Sequence, residues 1–100
     1  MNGYPDESIL RKIKRWDGKD VTKMVNLIEE SWNITYGAYQ IKWINSKRYK
    51  LTLITGGWSG NESVMAAINK NKWFDMFYWQ MSKRGGLHEY EIYEVKDANL

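Results

Sequence analysis

The sequence predicts an α+β domain, with helices packed on a small, mainly antiparallel sheet and elements in the order α-α-β-β-α-β. Three observations predict it. Apolar residues recur at helical spacing up to about residue 32. Between Tyr39 and Leu53 the period shortens to two, as in half-buried strands. A second helical stretch then runs into a glycine pair and a closing alternating segment. The 100 residues are read as a single domain, with N-terminal helices over about 6–32 and an α+β core over about 36–95.

Taken in order, Pro5-Asp6 is a helix start signal, and Ile9, Leu10, Ile13 and Trp16 form one face of the first helix. Its other face carries Arg11, Lys12, Lys14 and Arg15, the densest basic cluster in the chain, and Asp17-Gly18 stops it. A second helix is expected from Asp20, as N-cap, to about Trp32, with Val21, Met24, Val25, Ile28 and Trp32 as its apolar stripe. Tyr39, Ile41 and Trp43 alternate with Gln40, Lys42 and Ile44 in a strand, residues 45–48 turn, and Tyr49, Leu51 and Leu53 continue the partner strand. A third helix is expected over residues 60–83. Val64, Ala67, Ile68, Phe74, Tyr78 and Met81 define one face, and Trp73, Met76, Phe77 and Gln80 a second, so its C-terminal half reads as core or subunit contact. Gly85-Gly86 is read as its C-cap, and a last strand is expected over residues 87–95.

Composition excludes several functions. With no cysteine there is no disulfide, thiolate metal site or cysteine nucleophile, and one histidine cannot build a multi-histidine metal centre. No metal or cofactor is therefore expected. Lys and Arg exceed Asp and Glu by 15 to 12, a net charge of +3. That counts against a polyanionic DNA mimic, and it is too mild to call nucleic-acid binding without a localised patch. The first-helix cluster is too short for strong polyanion binding, so nucleic acid is not an expected partner. Apolar runs of a few residues give no membrane span, and the N-terminus lacks a signal-peptide pattern, so a cytoplasmic protein is expected. Fifteen per cent of residues are aromatic, including six Trp and seven Tyr, which supply contact area with a polar handle.

The stretch from Thr55 to Glu62 carries the most chemical information. A strand runs through Gly56 and Gly57 into a helix, an arrangement that aims backbone N–H groups at an anion. Neither a Walker loop nor a dinucleotide fingerprint is present. Two readings stand side by side. Ser59 and Glu62 have capping-box spacing, which is purely structural. Alternatively Thr55, Gly57, Trp58, Ser59, Gly60 and Asn61 bind a ligand: Trp58 stacks a base or plugs the core, Ser59 donates to phosphate or ribose, and Asn61 reads a base or ribose edge. Arg84, with Gly85 behind it, offers a guanidinium fork for phosphate. On the expected topology Arg84 and the Gly-rich loop lie at opposite ends of the third helix, so a site using both requires a dimer or a bend in the chain. His88 lacks a nucleophile motif, Glu89 and Glu91 share a strand face, and no catalytic residues are assigned. A non-enzymatic protein is expected.

The run TGGWSGNE at residues 55–62, the aromatic helix with Trp73-Phe74 and Trp79, and the Lys83-Arg84-Gly85-Gly86 segment resemble a family of small proteins encoded by bacteriophages and prophages. The resemblance covers roughly residues 36–93 and supplies context, not a mechanism. It implies the cytoplasm of an infected bacterial host and, by analogy with small phage proteins lacking catalytic motifs, a role against host defence. The leading expectation is a homo-oligomer that sequesters a phosphorylated nucleotide-type ligand such as a cyclic immune signal. The alternative is a protein–protein inhibitor of a host defence nuclease or DNA-binding complex. A nucleic-acid-binding accessory protein ranks third.

Overall fold

The computed structural model describes residues 4–93, so Glu94 and Val95 of the expected last strand lie outside the described residues. Asp6 caps the first helix, α1 (Glu7–Arg15), by accepting the Ser8 N–H. The second, α2 (Val21–Ser31), begins after Asp20 as expected, although Asp20 takes a left-handed conformation and makes no side-chain cap. The strands β1 (Ala38–Trp43) and β2 (Arg48–Ile54) pair antiparallel, with Trp43 opposite Tyr49 and Ile41 opposite Leu51. Asn45 Oδ1 accepts the Lys47 and Arg48 N–H groups and closes their turn.

The expected helix over residues 60–83 is in fact three elements: α3 (Ser59–Asn69), α4 (Lys72–Tyr78) and strand β3 (Trp79–Lys83). The break falls at Asn71, which is 2% exposed. Its Oδ1 accepts the Phe74 N–H and caps α4, while its Nδ2 donates to the carbonyls of Ile13 and Trp16. With these bonds its backbone is extended, at φ −95° and ψ 99°, and the helix breaks there. The apolar spacing from Val64 to Tyr78 stays helical across the break, which is why periodicity alone reads one element.

Past Tyr78 the chain turns into the sheet, with a register irregularity between Trp79 and Met81. Residues 84–86 then connect β3 to β4 (Leu87–Tyr93), with Gly85 and Gly86 both at positive φ. The glycine pair is therefore a hairpin turn, not a helix cap. The observed order is α-α-β-β-α-α-β-β, an α+β domain whose antiparallel sheet runs β1-β2-β4-β3.

Leu51, Leu53, Tyr90 and Ile92 alternate inward and meet Ile13, Met24, Ile28, Val64, Ile68 and Phe74 from the helices. The Phe74 ring lies 4.8 Å from the Tyr90 ring and meets Trp16 in a T-shaped contact at 6.1 Å. On the outward face Glu89 and Glu91 pair with Lys50 and Arg48. The second aromatic face of the expected third helix is not core: Trp73, Met76 and Phe77 are exposed on α4.

Candidate functional site: the Gly-rich loop and the RGG turn

The antiparallel pairing of β2 with β4 puts Ile54 opposite Leu87. The loop that follows β2 therefore meets the turn that precedes β4. Thr55 donates its N–H to Gly86 O at 3.0 Å. A Cβ on Gly86 would stand 2.0 Å from Thr55 Oγ1, so only glycine allows this approach. The Gly-rich loop and the RGG turn are thus neighbours within one chain. Of the dimer or bend that a site using both requires on the expected topology, the fold supplies the bend: the expected helix breaks, and β3 brings the chain back along the sheet.

Thr55 is fully buried, and its hydroxyl organises the loop. It donates to Glu62 Oε2 at 2.7 Å and accepts the Gly57 N–H at 3.2 Å. The capping box does not form. Glu62 is turned to Thr55, Ser59 Oγ lies 2.7 Å from the Tyr4 hydroxyl, and Trp58 occupies the cap position with no side-chain cap bond. No side chain caps the first turn of α3, where the backbone N–H groups carry the positive end of the helix dipole.

Asn61 is completely buried and bridges two backbones. Its Oδ1 accepts the Asn33 N–H at 2.9 Å, and its Nδ2 donates to Asn33 O and Thr55 O. Its amide is used within the fold and faces no ligand. Gly60 is buried under the Trp58 ring, which a Cβ would meet at 2.1 Å. Trp58 itself is half-buried; Tyr36 stacks on it at 4.7 Å and 18°, and Tyr4 packs at 4.8 Å. Gly57, Arg84 and Gly85 stand at the surface, with open space where a Cβ would project from either glycine.

Beside this loop lies a polar chain that the spacing of residues concealed. Trp79 Nε1 donates to Ser82 Oγ at 2.9 Å, and Ser82 Oγ lies 2.8 Å from His88 Nδ1. Burial holds the His88 pKa below the usual imidazole range, with Glu62 pulling the other way. Sequence reasoning missed this chain and the two tyrosines against Trp58, because Ser82 reaches His88 only through β3–β4 pairing, Trp79 and Ser82 fall inside an expected helix, and the tyrosines come from remote segments. The one local signal missed was the polar run at residues 69–72, which marked a helix break.

Compared with known proteins, the chain matches no family model, no curated protein and no solved structure. Among the described residues no group of three or more His, Asp or Glu side chains is placed to hold a metal ion, and no helix is long and apolar enough to cross a membrane.

Proposed function

We propose that this protein is a non-enzymatic binder of a phosphorylated nucleotide-type ligand, and that it acts as a homo-oligomeric sponge for a cyclic nucleotide signal in an infected bacterial cytoplasm. One observation carries the reading: the Thr55–Gly86 hydrogen bond joins the RGG turn to the loop that leads into the uncapped start of α3. An anion there would meet helix N–H groups, and Arg84, exposed in the same turn as Gly86, is the cation available to reach it. The half-exposed Tyr36–Trp58 stack offers aromatic surface for a base. Thr55, Gly60 and Asn61 support this site as scaffold. Gly57, Trp58, Ser59, Arg84 and Gly85 are the residues left to meet the ligand.

The test is native mass spectrometry, followed by calorimetry against a panel of cyclic di- and trinucleotides. The wild type should bind one member. Arg84→Ala should weaken that binding by roughly tenfold or more, as expected for a lost charge-assisted contact, and leave the melting temperature unchanged because Arg84 is exposed. Absence of any adduct or nucleotide affinity would sink the proposal.

A second reading, a protein–protein inhibitor, is favoured by Ile41, Trp43 and Ile44. These are exposed at edge strand β1 and the turn after it, with Trp43 at 61%. A stable complex with a host nuclease, disrupted by Trp43→Ala and indifferent to Arg84→Ala, would establish it instead.

A further inference from the structure

At the opposite end of α3, about 16 Å along its axis from the Gly-rich loop, the fold assembles a second surface. Lys14 and Arg15 close α1, Lys70 caps α3, and Lys72 opens α4. With Trp73 they line a cleft of about 310 Å³. All four cations are exposed, and among the described residues none is in an ion pair. Asp17 is the single acidic group lining the cleft.

The patch is rigidly founded. Asn71, buried beneath it, ties the end of α1 to the α3–α4 junction through the Ile13 and Trp16 carbonyls. The Trp73 ring rests against Gly18, whose Cβ would stand 3.3 Å away, and the side chain remains 49% exposed. Helix-dipole complementation accounts for Lys14, Arg15 and Lys70, which sit at helix C-termini. It does not account for Lys72. A cation at the first residue of α4 opposes the dipole, and it adds a fourth positive charge to the same cleft.

We infer that this surface binds single-stranded nucleic acid, with phosphates along Lys14, Arg15, Lys70 and Lys72 and an unstacked base on Trp73. Clustered unpaired cations recognise the phosphate backbone, and an exposed indole beside them selects strands whose bases are free to stack. The site is independent of the nucleotide proposal, since it shares no residue with the Gly-rich loop or the RGG turn. In the linear sequence its halves lie more than fifty residues apart, so the first-helix cluster alone looks too weak.

Fluorescence anisotropy of a labelled oligothymidylate against the full chain tests it. Neutralising four phosphates predicts that a fourfold rise in salt weakens binding about fifty-fold. Lys70→Gln with Lys72→Gln should remove most of the affinity, and Trp73→Ala should weaken it about fivefold or more. Lys83→Gln, beside the RGG turn at the other end of α3, should leave it near wild type. Duplex DNA should bind more weakly than the single strand. Circular dichroism melts keep loss of fold separate from loss of binding. The inference is overturned by no binding at low salt, by binding that the Lys70/Lys72 and Trp73 variants leave intact, or by a preference for duplex. Capture by anionic vesicles without oligonucleotide affinity also overturns it, and would assign the patch to a lipid surface.

Discussion

Two buried asparagines do at residue scale what apolar packing cannot. Asn61 holds the residue-33 segment against the end of β2, and Asn71 holds α1 against the α3–α4 junction. Each is fully hydrogen-bonded inside, so each contributes specificity without leaving a buried polar group unpaired. Truncation reverses that. Asn71→Ala removes the α4 cap and strands two carbonyls in a buried position. It should lower unfolding free energy by about 2–4 kcal/mol in urea titrations. Asn26→Ala, at an exposed position on α2, should change it by less than about 0.5 kcal/mol. Equal effects would mean that Asn71 does not tie these elements together. Neither asparagine's tying role was legible in the sequence, because the backbones that Asn61 and Asn71 hold in place, at Asn33 and at the end of α1, lie 28 and 55 or more residues away. An Asn in a polar run looks the same whether it caps a helix, reads a ligand or lies in solvent.

At the scale of elements, legibility followed locality. The helices α1 and α2 and the β1–β2 hairpin were readable because their signals (Asp6 as cap, one periodic apolar stripe each, Asn45 in the turn) act within a few residues. Strand β3 was not. Trp79 to Lys83 carries weak alternation and becomes a strand by pairing with β4. That pairing depends on the RGG turn, where two glycines with the same sign of φ face different surroundings. Gly85 points a would-be Cβ into open space, whereas Gly86 points one at Thr55 Oγ1. Gly85→Ala should therefore cost only the backbone strain of positive φ, about 1 kcal/mol. Gly86→Ala should cost clearly more and raise hydrogen exchange at the Thr55 amide. Equal melting temperatures for the two variants would show that the close approach to Thr55 does not hold the hairpin.

For the whole molecule, α3 separates the two proposed sites: the loop and turn meet at its start, and the cationic cleft lies at its end. The polar chain from Trp79 through Ser82 to His88 links β3 and β4 beside the first of these sites. Burial favours the neutral imidazole, so the folded pKa lies below the unfolded value of 6.5. The sign follows. The unfolded chain binds the proton more readily, so this contribution to stability is complete above about pH 6.5 and is lost as pH falls through the lower folded pKa. Thermal melts of the wild type should decline from neutral pH towards pH ~5, and His88→Gln should decline less over the same window. Parallel curves would remove His88 as the titrating group.

The sequence by itself determined the α+β class, the two N-terminal helices, the first hairpin and the absence of cysteine chemistry, since each follows from composition or from periodicity within one element. It also singled out the Gly-rich loop and the RGG segment. Tertiary structure alone decided that these two meet in one chain, that Glu62 and Ser59 leave the start of α3 uncapped, that Trp58 is stacked by Tyr36, and that Lys70 and Lys72 join Lys14 and Arg15. The physical reason is common to all four. Periodicity reports which face of an element is buried, but proximity between elements is set by β pairing and buried polar ties whose partners are remote along the chain.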